Sequence, residues 1–171
     1  MSHVFLIGFM GAGKSSVGRR VATLIERPFV DLDKVVVEAA GQSIPEIFAA
    51  SGEDGFRALE SEALRAVAAR EDSVVACGGG IVTRPENVAV LATGTVVYLQ
   101  TTAEEAVLRI GDRSSRPLLG GVDPAGEASR LLEERSALYE QAADIRMDTV
   151  GRTQSAIAAS IVAVLAERGV S

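Results

Sequence analysis

The stretch GFMGAGKSS, residues Gly8–Ser16, follows the apolar run Val4–Ile7 and decides the fold. Four residues separate Gly8 from the triplet Gly13-Lys14-Ser15, which is the spacing of a phosphate-binding loop. In such a loop consecutive backbone N–H groups form a concave anion site, and glycines let phosphate oxygens approach the main chain. The buried strand before the loop and the helical pattern after it favour this interpretation over a glycine-rich turn that binds nothing.

The residues of this loop have separate predicted roles. Lys14 places a positive charge near the β- and γ-phosphates of a nucleotide, and the Ser15 hydroxyl ligates Mg²⁺. The helix that follows directs its positive N-terminus at the same phosphates. The predicted nucleotide contacts within the loop are Gly11, Ala12, Gly13, Lys14, Ser15 and Ser16.

The composition is that of an ordinary globular α/β protein. The chain has 171 residues, of which 47% are hydrophobic and 23% charged, so we expect one domain over residues 1–171. A net charge of −6 argues against a nucleic-acid partner. Because Lys14 and Lys34 are the only lysines, arginines must supply the other cations of an anion site.

Cysteine content and hydropathy bear on the compartment. The single cysteine, Cys77, excludes a disulfide framework, fits a reducing setting, and is expected to be a small core residue. The N-terminus has no signal-peptide pattern, and no apolar run reaches the length of a membrane span. We therefore expect a cytoplasmic protein with no membrane partner.

Short β-branched runs alternate with longer helical patterns along the chain, which is typical of βαβ units and a parallel sheet. Two helix starts carry capping-box spacing, Ser43 with Glu46 and Thr102 with Glu105. The predicted strands are Val4–Ile7, Pro28–Leu32, Ser73–Ala76, Thr95–Leu99 and Ile145–Met147. The predicted helices are about Lys14–Glu26, Asp33–Ala40, Ser43–Ser51, Glu53–Arg70, Pro85–Leu91, Ala103–Ile110, Gly126–Ala143 and Thr153–Arg168.

One segment, residues 111–124, interrupts the alternation. It is rich in Gly and Pro and carries Arg113 and Arg116. A loop of this length in a compact domain is usually a lid, a binding loop or disorder. The phosphate loop elsewhere in the chain favours a lid, because phosphoryl transfer needs water excluded and positive charge brought in.

Two further motifs stand at the carboxyl ends of predicted strands, where open α/β sheets bind their ligands. If Asp31-Leu32-Asp33 ends a strand, both carboxylates face one side, so one can hold the Mg²⁺ shell and the other can accept a hydroxyl proton. The alternative is that Asp33 only caps a helix beginning at Lys34. Gly78-Gly79-Gly80 is either a plain turn or a loop on which a small polar acceptor rests against main-chain N–H groups.

The class of phosphate-loop protein can be narrowed by what the sequence lacks. A GTPase needs an Asn-Lys-x-Asp motif, and the chain has no Asn-Lys pair. The segment Asp148–Gly151 matches a switch pattern, but it follows the last predicted strand, where no γ-phosphate reaches. Motor and transporter ATPases need a longer chain. A small-molecule kinase remains.

Together the motifs resemble the shikimate kinase family over essentially the whole chain. The resemblance rests on Gly8-x-x-Gly11-x-Gly13-Lys14-Ser15, Asp31-x-Asp33, Gly52-Glu-x-x-Phe56-Arg57-x-x-Glu60, Gly78-Gly79-Gly80, Arg116-Pro117-Leu118-Leu119 and Arg135-x-x-x-Tyr139. It implies a three-layer P-loop fold whose five parallel strands run in the order 2-3-1-4-5. It also implies a monomer that transfers the γ-phosphoryl group of ATP to the 3-hydroxyl of shikimate, in aromatic amino-acid biosynthesis.

The helices of about residues 33–62 are expected to bind the acceptor, shikimate. The resemblance implies a role for each residue around it. Asp33 resembles the ligand of the shikimate hydroxyl and the candidate base. Arg57 and Arg135 resemble the pair that grips the shikimate carboxylate, whereas composition alone would make them solvated helix residues. The main-chain contact with the substrate corresponds to Gly78, Gly79 and Gly80, with Gly79 at its centre.

Around the nucleotide the resemblance implies a second set of roles. Arg116 is similar to a lid arginine that reaches the phosphates and joins Lys14 and Asp33 in catalysis. Ser15 and Asp31 match the Mg²⁺ positions. Arg109 and Arg152 fall where the family places arginines near ATP.

The chain departs from the family pattern at two places. Leu32 stands between the aspartates where many relatives have a small polar residue, and we expect it in the core. The segment Gly151–Gln154 has no proline where many relatives use one against adenine. Two alternatives remain open at this point: a gluconate or nucleoside-monophosphate kinase on the same scaffold, and a non-catalytic ATP-binding regulator.

Overall fold

The computed structural model describes residues 2–110, 119 and 121–170. Five parallel strands form one sheet in the order β2-β3-β1-β4-β5, as the family resemblance implied. The strands are β1 Val4–Ile7, β2 Phe29–Asp31, β3 Val74–Ala76, β4 Thr95–Gln100 and β5 Ile145–Asp148. The helices are α1 Lys14–Leu24, α2 Leu32–Ala40, α3 Ile44–Ala68, α4 Pro85–Leu91, α5 Ala103–Ile110, α6 Pro124–Ala142 and α7 Gln154–Glu167.

The central strand β1 has both faces buried, because helices cover the sheet on each side. Phe5 and Ile7 point into one apolar cluster, which includes side chains of α2, α3 and α6. Val4 and Leu6 point into the other cluster, which α1 and α7 complete. A strand buried on both faces is a continuous apolar run, which is why residues 4–7 show no polar alternation.

No helix in the described part of the chain combines the length and apolar character that crossing a membrane would require. The apolar side chains of the longer helices face the sheet instead, as Val17 does on α1 and Ile161 on α7.

The second strand ends earlier than the sequence pattern predicts. β2 stops at Asp31 rather than at Leu32, and α2 begins at Leu32 rather than at Asp33. Asp31 Oδ1 accepts a hydrogen bond from the Asp33 N–H at 3.2 Å and so caps the helix. The prediction that Asp31 and Asp33 share one side of a strand is therefore wrong, and so is the alternative that Asp33 only caps a helix beginning at Lys34. Leu32 lies in the core as expected.

The two helices predicted around Gly52 form one element with a kink. Gly52 has φ 68° and ψ −171°, a backbone conformation found essentially only in glycine, and it interrupts α3. The capping box at the start of α3 is confirmed, since Ser43 N–H donates to Glu46 Oε2 at 2.7 Å and Glu46 N–H to Ser43 Oγ. One element was missed, a 3₁₀ turn over Ile81–Thr83.

Candidate active site

The carboxyl ends of β1, β2 and β3 surround a cavity of about 150 Å³. One wall is the phosphate loop, with Gly11, Gly13, Lys14, Ser15 and Ser16. The opposite wall comes from the ends of β2 and β3, with Asp31, Asp33, Ala76, Cys77, Gly78 and Gly79. The fold therefore brings together three motifs that are far apart in the sequence.

The phosphate loop has the geometry of an anion site at a helix N-terminus. Gly13 occupies the cap position of α1 with φ 91°, a left-handed conformation that favours glycine. Lys14 Nζ donates to the carbonyls of Gly8 at 2.7 Å and Phe9 at 2.9 Å. The ammonium group is thereby held on the concave side of the loop, where its charge adds to the positive end of the α1 dipole.

Ser15 and Asp31, the predicted Mg²⁺ ligands, place a hydroxyl and a carboxylate beside the loop. Ser15 Oγ donates to Asp31 Oδ2 at 2.9 Å. Within the described residues no group of three or more His, Cys, Asp or Glu side chains surrounds a common point. A hydroxyl and one carboxylate nevertheless fit Mg²⁺ in a kinase site, because that ion keeps several waters and takes further ligands from the substrate phosphates.

Asp33 projects from the first turn of α2 into the same cavity. A Cβ built on Gly78 would stand 3.2 Å from Asp33 Oδ1, so the carboxylate lies directly against the glycine loop, Gly78–Gly80. Cys77 precedes that loop and is buried, as predicted for a core residue. Burial raises the pKa of the Cys77 thiol well above its ordinary value, which leaves it an unreactive thiol.

Arg57 is a buried arginine held by a buried glutamate on the same helix. Arg57 is 6% exposed and Glu60 is fully buried, and Arg57 Nη1 donates to Glu60 Oε1 at 2.8 Å. Burial raises the pKa of Glu60, while the positive charge of Arg57 opposes that rise. Within the described residues, Arg57 Nε and Glu60 Oε2 are buried without a hydrogen-bond partner. The pair therefore has one donor, Arg57 Nε, and one acceptor, Glu60 Oε2, available to hydrogen-bond a ligand.

Arg135 approaches the glycine loop from α6. It is 4% exposed, and its Nη1 is buried with no acceptor in the described part of the chain. A Cβ on Gly79 would lie 3.4 Å from this nitrogen, and a Cβ on Gly80 would overlap the Arg57 guanidinium. Two guanidinium groups thus flank a loop without side chains, and neither is the solvated helix arginine that composition alone suggests.

The nucleotide-side arginines differ in their surroundings. Arg109 lies across the phosphate loop, donating to the Ala12 carbonyl at 3.4 Å and the Thr149 carbonyl at 3.3 Å. Arg152 instead turns toward α7, where its Nη2 donates to Ser160 Oγ at 2.6 Å. Its predicted contact with ATP stays a prediction, and it would require this arginine to leave its present partners.

Of the predicted lid, residues 111–124, the structure describes residues 119 and 121–124. Residues 111–118 and 120, and with them Arg113 and the predicted phosphate ligand Arg116, lie outside the described residues. At the end of the segment Asp123 caps α6 by accepting a hydrogen bond from the Gly126 N–H at 3.1 Å. The helix accordingly begins at Pro124, two residues earlier than predicted.

The sequence analysis assigned no role to Glu60, although its spacing from Arg57 indicates an ion pair. A carboxylate three residues after an arginine on a helix is placed to pair with it. What the sequence did not reveal is that both side chains are buried, which depends on the packing of α3 under the glycine loop.

Comparison with known proteins extends this description. A family model described as shikimate kinase matches residues 10–166. A shikimate kinase of Mycobacterium avium (strain 104) is 46% identical over 160 residues, which cover 94% of this chain and 91% of the relative.

Solved structures show the same similarity in three dimensions. A shikimate kinase from Acinetobacter baumannii, solved in complex with shikimate, superposes with a TM-score of 0.96 at 34% identity, covering all of this chain and 96% of that one. A gluconokinase from Sinorhizobium meliloti 1021 has a TM-score of 0.63 at 18% identity, covering 98% of this chain and 93% of that one. The second similarity is one of fold alone.

Proposed function

The chain belongs to the shikimate kinase family, and from this membership we propose how its residues carry out the reaction. The enzyme uses ATP to phosphorylate shikimate. The reaction moves the γ-phosphoryl group of ATP to a substrate hydroxyl, in our proposal the 3-hydroxyl. The single observation that carries the site assignment is the pair of buried arginines beside a glycine loop, each with a buried nitrogen that finds no acceptor among the described residues.

Arg57 and Arg135 bind the shikimate carboxylate in this proposal. A planar guanidinium suits a carboxylate, and a charge-assisted hydrogen bond is about twice as strong as a neutral one. The side-chain-free loop Gly78–Gly80 lies between the two guanidiniums and leaves room for a flat ring to rest on its main chain. Glu60 holds Arg57 in place through their buried ion pair.

ATP lies along the phosphate loop, and Asp33 stands on the acceptor side of the cavity. Asp33 orients the substrate hydroxyl and accepts its proton as the oxygen attacks the γ-phosphorus. The loop N–H groups, Lys14 and Arg116 stabilise the charge on the transferring group and on the leaving ADP. Catalysis in this scheme comes from position and charge, because phosphoryl transfer needs little covalent help from a protein. Arg109 and Arg152 are the proposed contacts to the rest of the nucleotide.

Ser15 and Asp31 would hold Mg²⁺, since they present a hydroxyl and a carboxylate 2.9 Å apart beside the loop. When bound, the ion neutralises phosphate charge and orients the β- and γ-phosphates. Chelation of divalent metal should therefore abolish turnover, and added Mg²⁺ should restore it.

The proposed setting is the cytoplasm, and the proposed functional unit is a monomer. A cytoplasmic location is supported by the free, buried thiol of the one cysteine, Cys77. Nucleic acid and membranes are not proposed partners.

The experiment that tests the assignment is ADP release from Mg-ATP with a panel of acceptors: shikimate, quinate, gluconate and nucleoside monophosphates. We expect turnover with shikimate and little with the others, because only a cyclic acid places a carboxylate and a ring hydroxyl at the two ends of this crevice. Turnover with gluconate or a nucleotide alone would remove the assignment of Arg57 and Arg135. ATP binding without any turnover would favour a regulator.

A further inference from the structure

We propose that Tyr139 is a positioning residue of the shikimate site, whose hydroxyl fixes the glycine loop between the two arginines. The inference rests on the proposed function and deepens it, because it gives a role to a buried side chain on α6 that makes no contact with the reacting atoms. The roles proposed above for Arg57, Arg135 and Asp33 do not depend on a role for Tyr139.

Two of the three glycine carbonyls accept hydrogen bonds from nearby residues of the chain, and the third, that of Gly79, accepts one from a distant helix. The Gly78 carbonyl accepts from the Ile81 N–H at 3.2 Å, and the Gly80 carbonyl accepts from Thr83 Oγ1 at 2.7 Å. Both bonds are local to the 3₁₀ turn. The Gly79 carbonyl between them accepts a hydrogen bond from the Tyr139 hydroxyl, which comes from α6. Three consecutive glycines have no side chains to fix their conformation, so this bond is the loop's anchor to the helix layer.

The anchored carbonyl determines where the next N–H group points. The peptide bonds of the described chain are all trans, and in a trans peptide the N–H is directed opposite to the C=O. By holding the Gly79 oxygen on its own side, Tyr139 directs the Gly80 N–H away from α6. The same peptide joins the two glycines that lie beside the arginines: a Cβ on Gly79 would stand 3.4 Å from Arg135 Nη1, and a Cβ on Gly80 would overlap the Arg57 guanidinium. One hydroxyl therefore sets the direction of a main-chain donor and the spacing of the loop from both arginines.

Tyr139 is itself rigidly placed. It is fully buried, and its ring stacks on that of Tyr98 from β4 with centroids 5.0 Å apart. It stands four residues after Arg135, so both side chains lie on one face of α6. Burial raises the pKa of Tyr139 to about 12, so the hydroxyl keeps its proton and remains a donor in any ordinary assay.

The test compares Tyr139→Phe with the matched variant Tyr98→Phe. Both substitutions remove one hydroxyl from the same stacked pair and keep the ring, but only the first removes a hydrogen bond to the glycine loop. Loss of a bond to a buried carbonyl should raise the shikimate KM of Tyr139→Phe about tenfold. We expect its ATP KM to stay unchanged and its kcat to stay within about threefold, since ATP does not rest on this loop. Tyr98→Phe should match the wild type in all three constants.

The outcomes separate the inference from the proposed function. A wild-type enzyme that does not phosphorylate shikimate overturns both. A wild-type enzyme that does so, with a shikimate KM unchanged by Tyr139→Phe, overturns only the positioning role. Equal rises in both KM values, or a loss confined to kcat, also overturn it, because they indicate general loosening or a direct part in the chemistry. Melting temperatures measured for all three proteins ensure that folded enzymes are compared.

Discussion

At the residue scale, the two aspartates of Asp31-Leu32-Asp33 have different surroundings although they line one cavity. Asp31 accepts hydrogen bonds from Ser15 Oγ and from the Asp33 N–H, so both its oxygens are held. Asp33 lies one residue into α2, with its carboxylate against the glycine loop. The first arrangement suits a metal-side ligand, and the second suits a group that meets the acceptor.

Replacing Asp33 by asparagine tests this division of roles. Asp33→Asn keeps the size and much of the hydrogen bonding of the side chain but cannot accept the hydroxyl proton. We expect kcat to fall by about 10² to 10⁴ with ATP affinity unchanged, measured by steady-state kinetics and by calorimetric titration of ATP. The control is Asp54→Asn, which changes an exposed carboxylate on α3. Full turnover by Asp33→Asn would exclude it as the base.

The two proposed carboxylate ligands should respond differently to truncation. Arg135→Ala removes a side chain without an ion pair in the described chain, so the shikimate KM should rise about 10- to 100-fold with a modest loss of stability. Arg57→Ala should raise the shikimate KM similarly and also lower the free energy of unfolding by about 3–5 kcal/mol, because it leaves Glu60 buried without its cation.

Kinetics and urea unfolding of both variants check this contrast, with Arg65→Ala as an exposed control on α3. A shikimate KM that neither variant changes would contradict the clamp. Equal stability losses would contradict the view that Arg57 alone is paired inside the fold.

The buried carboxyl of Glu60 predicts a pH dependence of stability. Burial raises its pKa above the ordinary value of 4.5, so the folded state binds more protons than the unfolded state at intermediate pH. This contribution to stability is fully present below pH 4.5 and is lost as pH rises through the folded pKa. Glu60→Gln should remove that decline.

Urea unfolding between pH 4 and 8 measures this pH dependence of stability, because the range includes the ordinary glutamate pKa of about 4.5 and values above it. The difference in unfolding free energy between wild type and Glu60→Gln should change with pH, whereas the difference from the exposed control Glu62→Gln should not. Parallel curves for wild type and Glu60→Gln would show that Glu60 has the same pKa folded and unfolded.

At the scale of the element, the kink in α3 places Arg57. Gly52 separates the capped first half of the helix from the half that carries Arg57 and Glu60. A Cβ at Gly52 would meet no atom within 4 Å, so any cost of a side chain there comes from the backbone. The same is true of Gly41, which has φ 65° at the C-terminus of α2.

These two glycines form a matched pair for a prediction. Gly52→Ala and Gly41→Ala should each destabilise the fold by about 1–2 kcal/mol through the positive φ, with the larger loss at Gly52 because its ψ of −171° is open essentially only to glycine. Only Gly52→Ala should also raise the shikimate KM, since relief of the strain turns the half of α3 that carries Arg57. Kinetics and thermal melts measure both effects, and an unchanged KM for Gly52→Ala would remove the link between kink and clamp.

The sequence allowed the elements to be predicted where local signals agree. The apolar run Val4–Ile7, the helix starts at Lys14 and Pro85, and the capping box at Ser43 were all placed correctly. The boundary at Asp31 was missed, because its side chain accepts a hydrogen bond from the Asp33 N–H, which ends the strand and starts the helix early. Apolar periodicity carries no information about such a bond.

The candidate site was predictable in its motifs but not in its contacts. Spacing and resemblance identified Lys14, Asp33 and the glycine loop, which do line one cavity. They did not indicate that Glu60 is buried beneath Arg57, or that Tyr139 reaches the Gly79 carbonyl. Arg57 and Glu60 lie three residues apart on α3, but their burial depends on how that helix packs. The Tyr139 contact joins α6 to a loop 60 residues earlier in the chain, so tertiary packing determines it.

At the scale of the whole molecule, the strand order places the residues proposed for the acceptor and those proposed for the nucleotide on opposite sides of β1. The phosphate loop follows the central strand β1, between the two sides of the sheet. Asp33 and the glycine loop follow β2 and β3 on one side, and the segments bearing Arg109 and Arg152 follow β4 and β5 on the other. In our proposal the acceptor occupies the first side and the nucleotide the second, so the γ-phosphoryl group crosses directly above β1.

In our proposal this crevice directs the γ-phosphoryl group of ATP to one hydroxyl of shikimate. The most direct test is the identity of the product, from ¹H and ³¹P NMR of shikimate turned over with Mg-ATP. We expect a single monophosphate whose phosphorus couples to the proton on carbon 3, formed by the wild type and largely lost with Asp33→Asn. Phosphorylation at another hydroxyl, a mixture of positions, or ADP formed without any phosphorylated shikimate would contradict it.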